Sequence, residues 1–196
     1  MECQNCSKKG NLKTCGRCKS VQYCSPTCQK EHWKLHKSKC FIKNSIIHYC
    51  CDSYFNGAHG GVPRYDYQIS LVFPQRFFFK GPAEKNKMLR FLKKCKNPIV
   101  ITDNHLACDI PNEYKVLLVH HGCAQTTAER NPDWGEPWKS LCTNGQLKML
   151  DYRDPQTTTI VSISQACTND FTKYFSDKYT KFKRVDILHP SELNEN

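Results

Sequence analysis

Residues 3–40 decide the amino-terminal fold, and they read CQNCSKKGNLKTCGRCKSVQYCSPTCQKEHWKLHKSKC. The stretch contains eight soft metal ligands in four pairs, with the spacings C-x2-C, C-x2-C, C-x3-C and H-x3-C. The pairs are Cys3/Cys6, Cys15/Cys18, Cys24/Cys28 and His36/Cys40. Zn2+ takes four such ligands in tetrahedral geometry, so eight donors predict two zinc sites. Spacing alone leaves sequential, nested and interleaved pairing open.

The local sequence brings the members of each pair together. Two thiolates on one zinc lie about 3.7 Å apart, given a Zn–S bond of about 2.3 Å, and a C-x2-C turn brings two sulfurs that close. The members of the third and fourth pairs are four residues apart, so they share one face of a helix. Ser25 as cap and Pro26 at the first helical position predict where the first of these helices begins. Thr14 and residues 21–23 are predicted to form a very short antiparallel pair.

Apart from its ligands, this stretch has few large apolar residues: Leu12, Val21, Tyr23, Trp33 and Leu35. A chain of about 40 residues cannot usually bury enough surface to fold alone. Metal binding supplies roughly 10–16 kcal/mol of apparent free energy in small finger peptides. We therefore expect the metal ions to serve as the core. Disulfides or buried thiols are the alternative, but the spacing fits metal and we expect a reducing compartment.

Residues 15–40 resemble the greater part of a MYND-type zinc finger, and Cys3 and Cys6 complete its pattern. The neighbouring Tyr23, Gln29 and Trp33 match as well. The resemblance covers about a fifth of the chain. It implies interleaved ligand pairs, with the following sets: Cys3, Cys6, Cys24 and Cys28 on one zinc, and Cys15, Cys18, His36 and Cys40 on the other.

The resemblance also implies a peptide-binding surface. In MYND fingers that bind proline-containing peptides, residues at the positions of Gln29 and Trp33 help to form the groove. These two residues are four apart and so share a helix face, and an extended ligand can add alongside a short strand. The alternative is that Trp33 is only the main packing residue of the finger. Both roles are compatible.

The charge of the chain allows a second kind of partner. The formal net charge is +11, and seven zinc-bound thiolates with two Zn2+ ions lower it to about +8. Four lysines crowd the end of the finger: Lys30, Lys34, Lys37 and Lys39. They predict either a solvated face or phosphate contacts. Nucleic acid is the weaker of the two interpretations, because aromatic side chains are not interleaved with these lysines.

The length of 196 residues allows the finger and one further domain. We predict a finger at 1–40, a junction with a short helical or docking segment at 41–66, a second domain at 67–190 and a polar tail at 191–196. The start of the chain lacks an apolar signal core, and no apolar run is long enough for a membrane span. These features predict an intracellular protein, cytoplasmic or nuclear, without membrane contact.

The second domain mixes predicted strands and helices, which indicates an α/β or α+β fold of unrecognised family. Strands are predicted at residues 67–73, 76–80, 98–102, 114–120, 159–164 and 182–188. Helices are predicted at 84–96 and 169–181 from their apolar stripes. Residues 124–147 are predicted to be mostly irregular, with a turn-rich loop at 131–138 that holds Trp134 and Trp138.

Candidate chemistry outside the finger is sparse, and no catalytic residue is assigned. A third zinc site would need two separate groups to converge: His105 and Cys108, and His120, His121 and Cys123. Asp103 and His105 follow a predicted strand, where ligand sites gather in α/β sheets, so acid–base chemistry is a second possibility. Some methyltransferases carry a MYND finger in their SET domain, but the chain lacks the N-H-S-C-type segment that this resemblance would require.

The sequence therefore favours an interaction protein, rather than an enzyme, that uses its two-zinc finger to dock a proline-containing protein segment. The first alternative is an enzyme whose domain at 67–190 is targeted by the finger. It predicts a deep pocket lined by Asp103, His105, His120 or His121. The weaker alternative is nucleic-acid binding.

Overall fold

The computed structural model describes residues 1–51 and 61–186. These residues form two compact units. The finger unit consists of residues 1–45 and 90–98, and the α/β unit of the described residues within 46–89 and 99–186. Residues 46–51 and 61–66, which the sequence assigns to a junction, therefore belong to the α/β unit. The tail at 191–196 and the end of the last predicted strand lie outside the described residues.

The finger unit is built from short elements. Strand β1 (Lys13–Thr14) pairs antiparallel with β2 (Gln22–Tyr23), as predicted. Helix α1 (Pro26–His36) is followed by a 3-10 turn (Lys37–Lys39). Its predicted start is confirmed, because Ser25 Oγ accepts a hydrogen bond from the Cys28 N–H at 3.1 Å. Strand β3 (Ile42–Lys43) pairs in parallel with β6 (Cys95–Lys96).

The α/β unit contains a six-stranded sheet in which all neighbouring strands are parallel. Its strands are β4 (Ile46–Cys51), β5 (Phe77–Gly81), β7 (Ile99–Asp103), β8 (Lys115–His120), β9 (Thr158–Ser162) and β10 (Lys183–Asp186). The helices that follow α1 are α2 (Gly61–Val72), α3 (Lys85–Leu92), α4 (Ala124–Arg130), α5 (Gly135–Tyr152) and α6 (Gln165–Tyr179). A 3-10 segment (Asn104–Asp109) follows β7. The fold is thus parallel α/β, the first of the two predicted classes.

The strand order positions a possible ligand site. It runs β10-β9-β8-β7-β4-β5, so the first strand in the chain, β4, is an inner strand. The chain moves to one side for β5 and to the other side for β7 and the strands after it. Such a reversal creates a switch point between β4 and β7, and ligands of open α/β sheets bind outside the carboxyl ends of strands at such points.

Helices cover both faces of the sheet. Val119 belongs to a buried cluster with Tyr65 and Ile69 of α2. The next residue, His120, stacks on Phe171 of α6 with 4.0 Å between ring centroids. Because successive strand residues point to opposite faces, α2 and α6 lie on opposite sides of β8.

Two predictions at the start of the α/β unit are wrong. The short helical or docking segment predicted in the junction is replaced at 46–51 by β4, which is buried on both faces, as inner parallel strands are. The predicted strand at 67–73 is the second half of α2, although it is rich in β-branched and aromatic residues. The i, i+4 pair Tyr65 and Ile69 packs onto the sheet, and this tertiary contact overrides local propensity.

Two predictions about helices are also corrected. Residues 124–147 are mostly helical rather than irregular, since α4 and α5 occupy them. Helix α5 is difficult to predict because it contains Gly135, Pro137 and Gly145, which disfavour helix. Proline is nevertheless tolerated in the first turn of a helix. The helix predicted at 84–96 ends at Leu92, and Cys95 lies in β6.

Candidate metal centres

The first ligand tetrad joins the first and third cysteine pairs. The ligand atoms of Cys3, Cys6, Cys24 and Cys28 all lie within 4.8 Å of one another. The sulfur of Cys24 is 3.5 Å from those of Cys6 and Cys28, and the last two are 3.7 Å apart. These separations agree with the roughly 3.7 Å expected for thiolates that share one tetrahedral zinc.

The second tetrad joins the second and fourth pairs. The ligand atoms of Cys15, Cys18, His36 and Cys40 lie within 4.8 Å of one another, and all four residues are buried. The sulfurs of Cys15 and Cys40 are 3.7 Å apart, and Nε2 of His36 is 3.5 Å from the Cys18 sulfur. The pairing is therefore interleaved, and the sequential and nested alternatives are excluded.

The protein surroundings prepare some of these thiols for metal. Burial alone would raise the pKa of Cys3 and Cys15, but hydrogen bonds from nearby backbone N–H groups lower both values to about 6. In contrast, the hydrogen bonds that Cys24 shares with Cys28 and Cys6 raise its pKa to about 12. Three or four thiolates this close repel one another, so a divalent cation is the group that allows all of them to ionise.

The family profile of the MYND finger matches residues 3–40. Residues 3–40 are a MYND finger. The two tetrads are the sites for its two zinc ions, as predicted, because thiolate-rich tetrahedral sets suit Zn2+. Its buried cluster contains Tyr23 and four of these cysteines, with Trp33 packed against it.

Similar curated proteins match this segment alone. A histone-lysine N-methyltransferase, ASHR1 of Arabidopsis thaliana, is 50% identical over 38 residues, which is 19% of this chain and 8% of that protein. The N-lysine methyltransferase SMYD2 of Rattus norvegicus is 51% identical over 39 residues, and SMYD2-B of Danio rerio is 44% identical over 39 residues. Each match covers 19% of this chain and 9% of the relative. The chain thus matches less than a tenth of the length of these relatives. No solved structure matches the chain significantly.

The two predicted peptide-contact residues lie on α1, next to the second tetrad. Trp33 is half-buried, and the guanidinium of Arg17 lies 5.5 Å from the centroid of its ring. The side-chain amide of Gln29 donates to the sulfur of Cys15 at 3.8 Å. Gln29 thus contacts a zinc ligand, which the sequence analysis missed. A hydrogen bond to a metal ligand from a neighbouring side chain helps to orient that ligand.

The finger unit is rich in exposed basic residues and poor in acidic ones. The unit contains fourteen lysines and arginines but only two acidic residues, Glu2 and Glu31. All fourteen basic side chains are exposed. None forms an ion pair with a carboxylate within the described ranges. This concentration of charge is suited to an anionic partner.

A third group of metal-ligand types occurs in the α/β unit. The ligand atoms of His48, Cys50 and Asp66 lie within 4.8 Å of one another, and all three residues are buried. However, Arg76 Nε, which can only donate, lies 3.3 Å from His48 Nδ1. The ring proton is therefore on Nε2, which donates to Asp66 Oδ1 at 3.1 Å. His48 and Asp66 therefore form a buried hydrogen-bonded pair. The positive charge of the nearby Arg76 guanidinium disfavours binding of a metal cation at this position.

The candidate third zinc site is not assembled. In the described part of the chain, no group of three metal-ligand residues includes His105, Cys108, His120, His121 or Cys123. His120 is fully buried against Phe171, and burial, with a smaller contribution from His121, lowers its pKa to about 3. It is therefore a neutral core residue.

A pocket of about 680 Å³ lies in the α/β unit, and we call it the edge pocket. It is lined by His105, Cys108, Asp109, His121, Gly122, Ala124, Thr127, Leu141, Cys142, Gly145, Gln146 and Lys148. Two of the four residues predicted to line a pocket, His105 and His121, are on its wall. Asp103 and His120 are outside it.

None of the described helices is long and apolar enough to cross a membrane.

Proposed function

We propose that this protein docks an extended, proline-containing protein segment on its MYND finger, over Trp33 and Gln29. The observation that carries the proposal is the half-buried Trp33 on α1, whose ring packs against the cluster that contains Tyr23 of β2. Aromatic side chains of this kind form the grooves in which proline-rich segments bind. Within the described residues, β1 pairs only with β2, so its outer edge is the strand edge beside which an extended segment can lie. On the outer edge of β2, the Gln22 carbonyl already accepts from the Gln4 N–H at 3.0 Å.

The charge of the finger unit refines the expected partner. The unit has fourteen exposed basic side chains against two acidic residues, and the guanidinium of Arg17 lies against the Trp33 ring. Thiolate charge on the two zinc sites offsets only part of this excess. We therefore expect the proline-containing segment to have acidic flanks, which would raise the association rate at low salt.

The test measures peptide binding by the full chain loaded with zinc. Three labelled peptides share a core of alternating proline and leucine and differ in flanks of glutamate, serine or lysine. We expect the glutamate-flanked peptide to bind most tightly. Trp33→Ala should weaken its binding by about thirtyfold, the effect of losing a hot-spot side chain, and Gln29→Ala should weaken it less.

Leu35→Ala is the matched control, because Leu35 is an exposed apolar residue on the opposite side of α1 from Trp33. It should leave peptide affinity unchanged. Zinc content must remain at two ions in each variant. If both groove variants keep zinc and bind the peptide as the wild type does, the groove assignment is wrong.

Nucleic-acid binding is a second candidate that the same unpaired cations favour. It is the weaker one, because the exposed lysines of the finger unit are not interleaved with exposed aromatic side chains on which bases could stack. It predicts duplex affinity that falls steeply as salt rises. Absent or salt-insensitive binding would remove it.

A further inference from the structure

The edge pocket lies where parallel α/β sheets bind their ligands. His105 and His121 follow the carboxyl ends of β7 and β8, and β7 is one of the two strands at the switch point. Helix α5 contributes Leu141, Cys142 and other residues to the opposite wall. A volume of about 680 Å³ is within the range of small-molecule sites, roughly 300–1,000 Å³.

The wall of the edge pocket is held in place by hydrogen bonds. The side chain of Gln146 accepts from the Ala124 N–H at 2.9 Å and donates to the Gly122 carbonyl at 2.8 Å. One side chain on α5 thus fixes the loop between β8 and α4. A site whose wall is already ordered loses less entropy when a ligand binds.

A glycine in the middle of α5 leaves the space open. Gly145 lies inside a helix, where glycine costs about 1 kcal/mol relative to alanine. It needs no left-handed conformation, and a Cβ built there would meet only the Cβ of His105, at 3.8 Å. A methyl group would therefore fit at this position, whereas a larger side chain would project into the pocket that Gly145 lines.

The charges on the wall do not balance. Asp109 is neutralised within the protein, because one carboxylate oxygen pairs with Lys85 and the other accepts from the Tyr49 hydroxyl at 2.7 Å. Burial raises the pKa of the Cys108 and Cys142 thiols, which therefore stay neutral. Burial also lowers the pKa of His121 to about 4 against the attraction of Asp66. Lys148 has no acidic partner among the residues that the structure describes.

We propose that the edge pocket binds a small organic anion, whose charged group pairs with the ammonium of Lys148 and whose hydrocarbon part lies against Leu141 and Ala124. This function is separate from peptide docking by the finger. It gives the α/β unit a ligand of its own.

The experiment compares three probes with the same eight-carbon tail: octanoate, octyl phosphate and 1-octanol. Calorimetric titration uses the full, zinc-loaded chain. We expect both anions to bind up to about fivefold more tightly than the alcohol, because Lys148 is exposed and a solvated ion pair contributes no more than that. The ratio between octanoate and octyl phosphate then identifies the preferred head group.

Three variants locate the binding. Lys148→Met should remove the preference for anions and leave octanol binding unchanged. Lys30→Met is the matched control, since Lys30 is an exposed, unpaired lysine of the finger unit, and it should change nothing. Gly145→Leu should abolish binding of all three probes. If Gly145→Leu fails to fold, Leu141→Glu at an exposed wall position should weaken both anions instead.

Several results would overturn the proposal. One is equal affinity for octanol and the anions. Another is an anion preference that survives Lys148→Met or falls equally in Lys30→Met. A third is the absence of saturable binding for every probe. Retention of full affinity in a folded Gly145→Leu variant would also exclude this pocket as the site.

Discussion

The two units of this protein are stabilised in different ways. In the finger unit, four of the five members of the buried cluster are zinc-ligand cysteines, and the fifth is Tyr23. In the α/β unit, a buried cluster is made of the side chains Tyr65, Ile69, Ile101 and Val119. The metal sites replace a hydrocarbon interior in the smaller unit, which is too short to bury enough apolar surface.

The units also differ in how they treat charge. Beyond the finger unit, the chain has fifteen basic and sixteen acidic residues, so the whole positive excess belongs to the finger unit. In the α/β unit, lysines pair with carboxylates, as Lys178 does with Asp151 at 2.7 Å. In the finger unit the negative charge is supplied by thiolates on zinc. One unit thus balances its charge with carboxylates, whereas the other keeps an excess of positive charge at its surface.

Removing a zinc ligand should have the largest effect, and it should show that the two units unfold independently. Cys28→Ser leaves the first tetrad with three thiolates. Because zinc sites supply roughly 10–16 kcal/mol in such small folds, we expect one zinc to be lost and the finger unit to unfold, while the α/β unit remains folded. Native mass spectrometry counts zinc, and hydrogen exchange of each unit reports its folding.

Two controls accompany this experiment. Cys142→Ser makes the same chemical change at a cysteine outside the tetrads, and it should keep two zinc ions. Leu118→Ala makes a cavity at a fully buried position of β8 and should cost about 2–5 kcal/mol in the α/β unit alone. A finger that stays protected from exchange in Cys28→Ser would contradict the metal-core argument.

The buried carboxyl of Asp103 should make the α/β unit pH-dependent. Burial, and to a smaller extent the charge of Asp66, raise its pKa from 3.8 to about 7. An unfolded chain loses this proton near pH 4 but the folded chain only near pH 7. The stabilising contribution is therefore complete below pH 4, is lost progressively up to pH 7, and stays lost above it.

Asp103→Asn should remove this dependence, because the amide does not ionise. We expect the variant to be more stable than the wild type at pH 8, by roughly 1–3 kcal/mol after allowing for relaxation around the charge. The difference should shrink towards pH 5. Hydrogen exchange of β7 and β8 measures it without interference from zinc release. If the wild-type α/β unit becomes more stable as the pH rises from 5 to 8, the prediction is wrong.

The sequence predicts the finger far better than the α/β unit, and the reason is physical. Metal ligands must recur at fixed spacings, so the cysteine pattern and the Ser25–Pro26 helix start determine local structure almost directly. In the α/β unit, strands β5, β7, β8 and β9 are found from their apolar runs within one or two residues. The exceptions are elements whose character depends on partners that are distant in sequence.

The missed features show this dependence. Strand β4 contains His48, whose polar ring is tolerated in the core only because Asp66 and Arg76 bond to it. Helix α5 contains Gly145, which disfavours a helix when the sequence is read without its tertiary contacts. His105 and His121 are recognised as candidates because they follow predicted strands, whereas Lys148 gives no signal until α5 is known to face them.

The smallest predicted effect compares the two units directly, because a serine caps a helix in the same way in each of them. Ser25 Oγ accepts from the Cys28 N–H at 3.1 Å, and Ser164 Oγ accepts from the Cys167 N–H at 3.2 Å. Serine-to-alanine changes at such caps cost about 1 kcal/mol. If folding of the finger unit is coupled to metal binding, Ser25→Ala should lower zinc affinity about fivefold and leave the urea midpoint of the α/β unit unchanged.

Ser164→Ala should do the reverse: it should lower the free energy of unfolding of the α/β unit by about 1 kcal/mol and leave zinc affinity as it is. Competition with a chromogenic chelator measures the first quantity, and urea unfolding monitored by exchange of α6 measures the second. Equal effects of both variants on both quantities would mean that the units fold as one, and the distinction between a metal core and a hydrocarbon core would then have no energetic meaning.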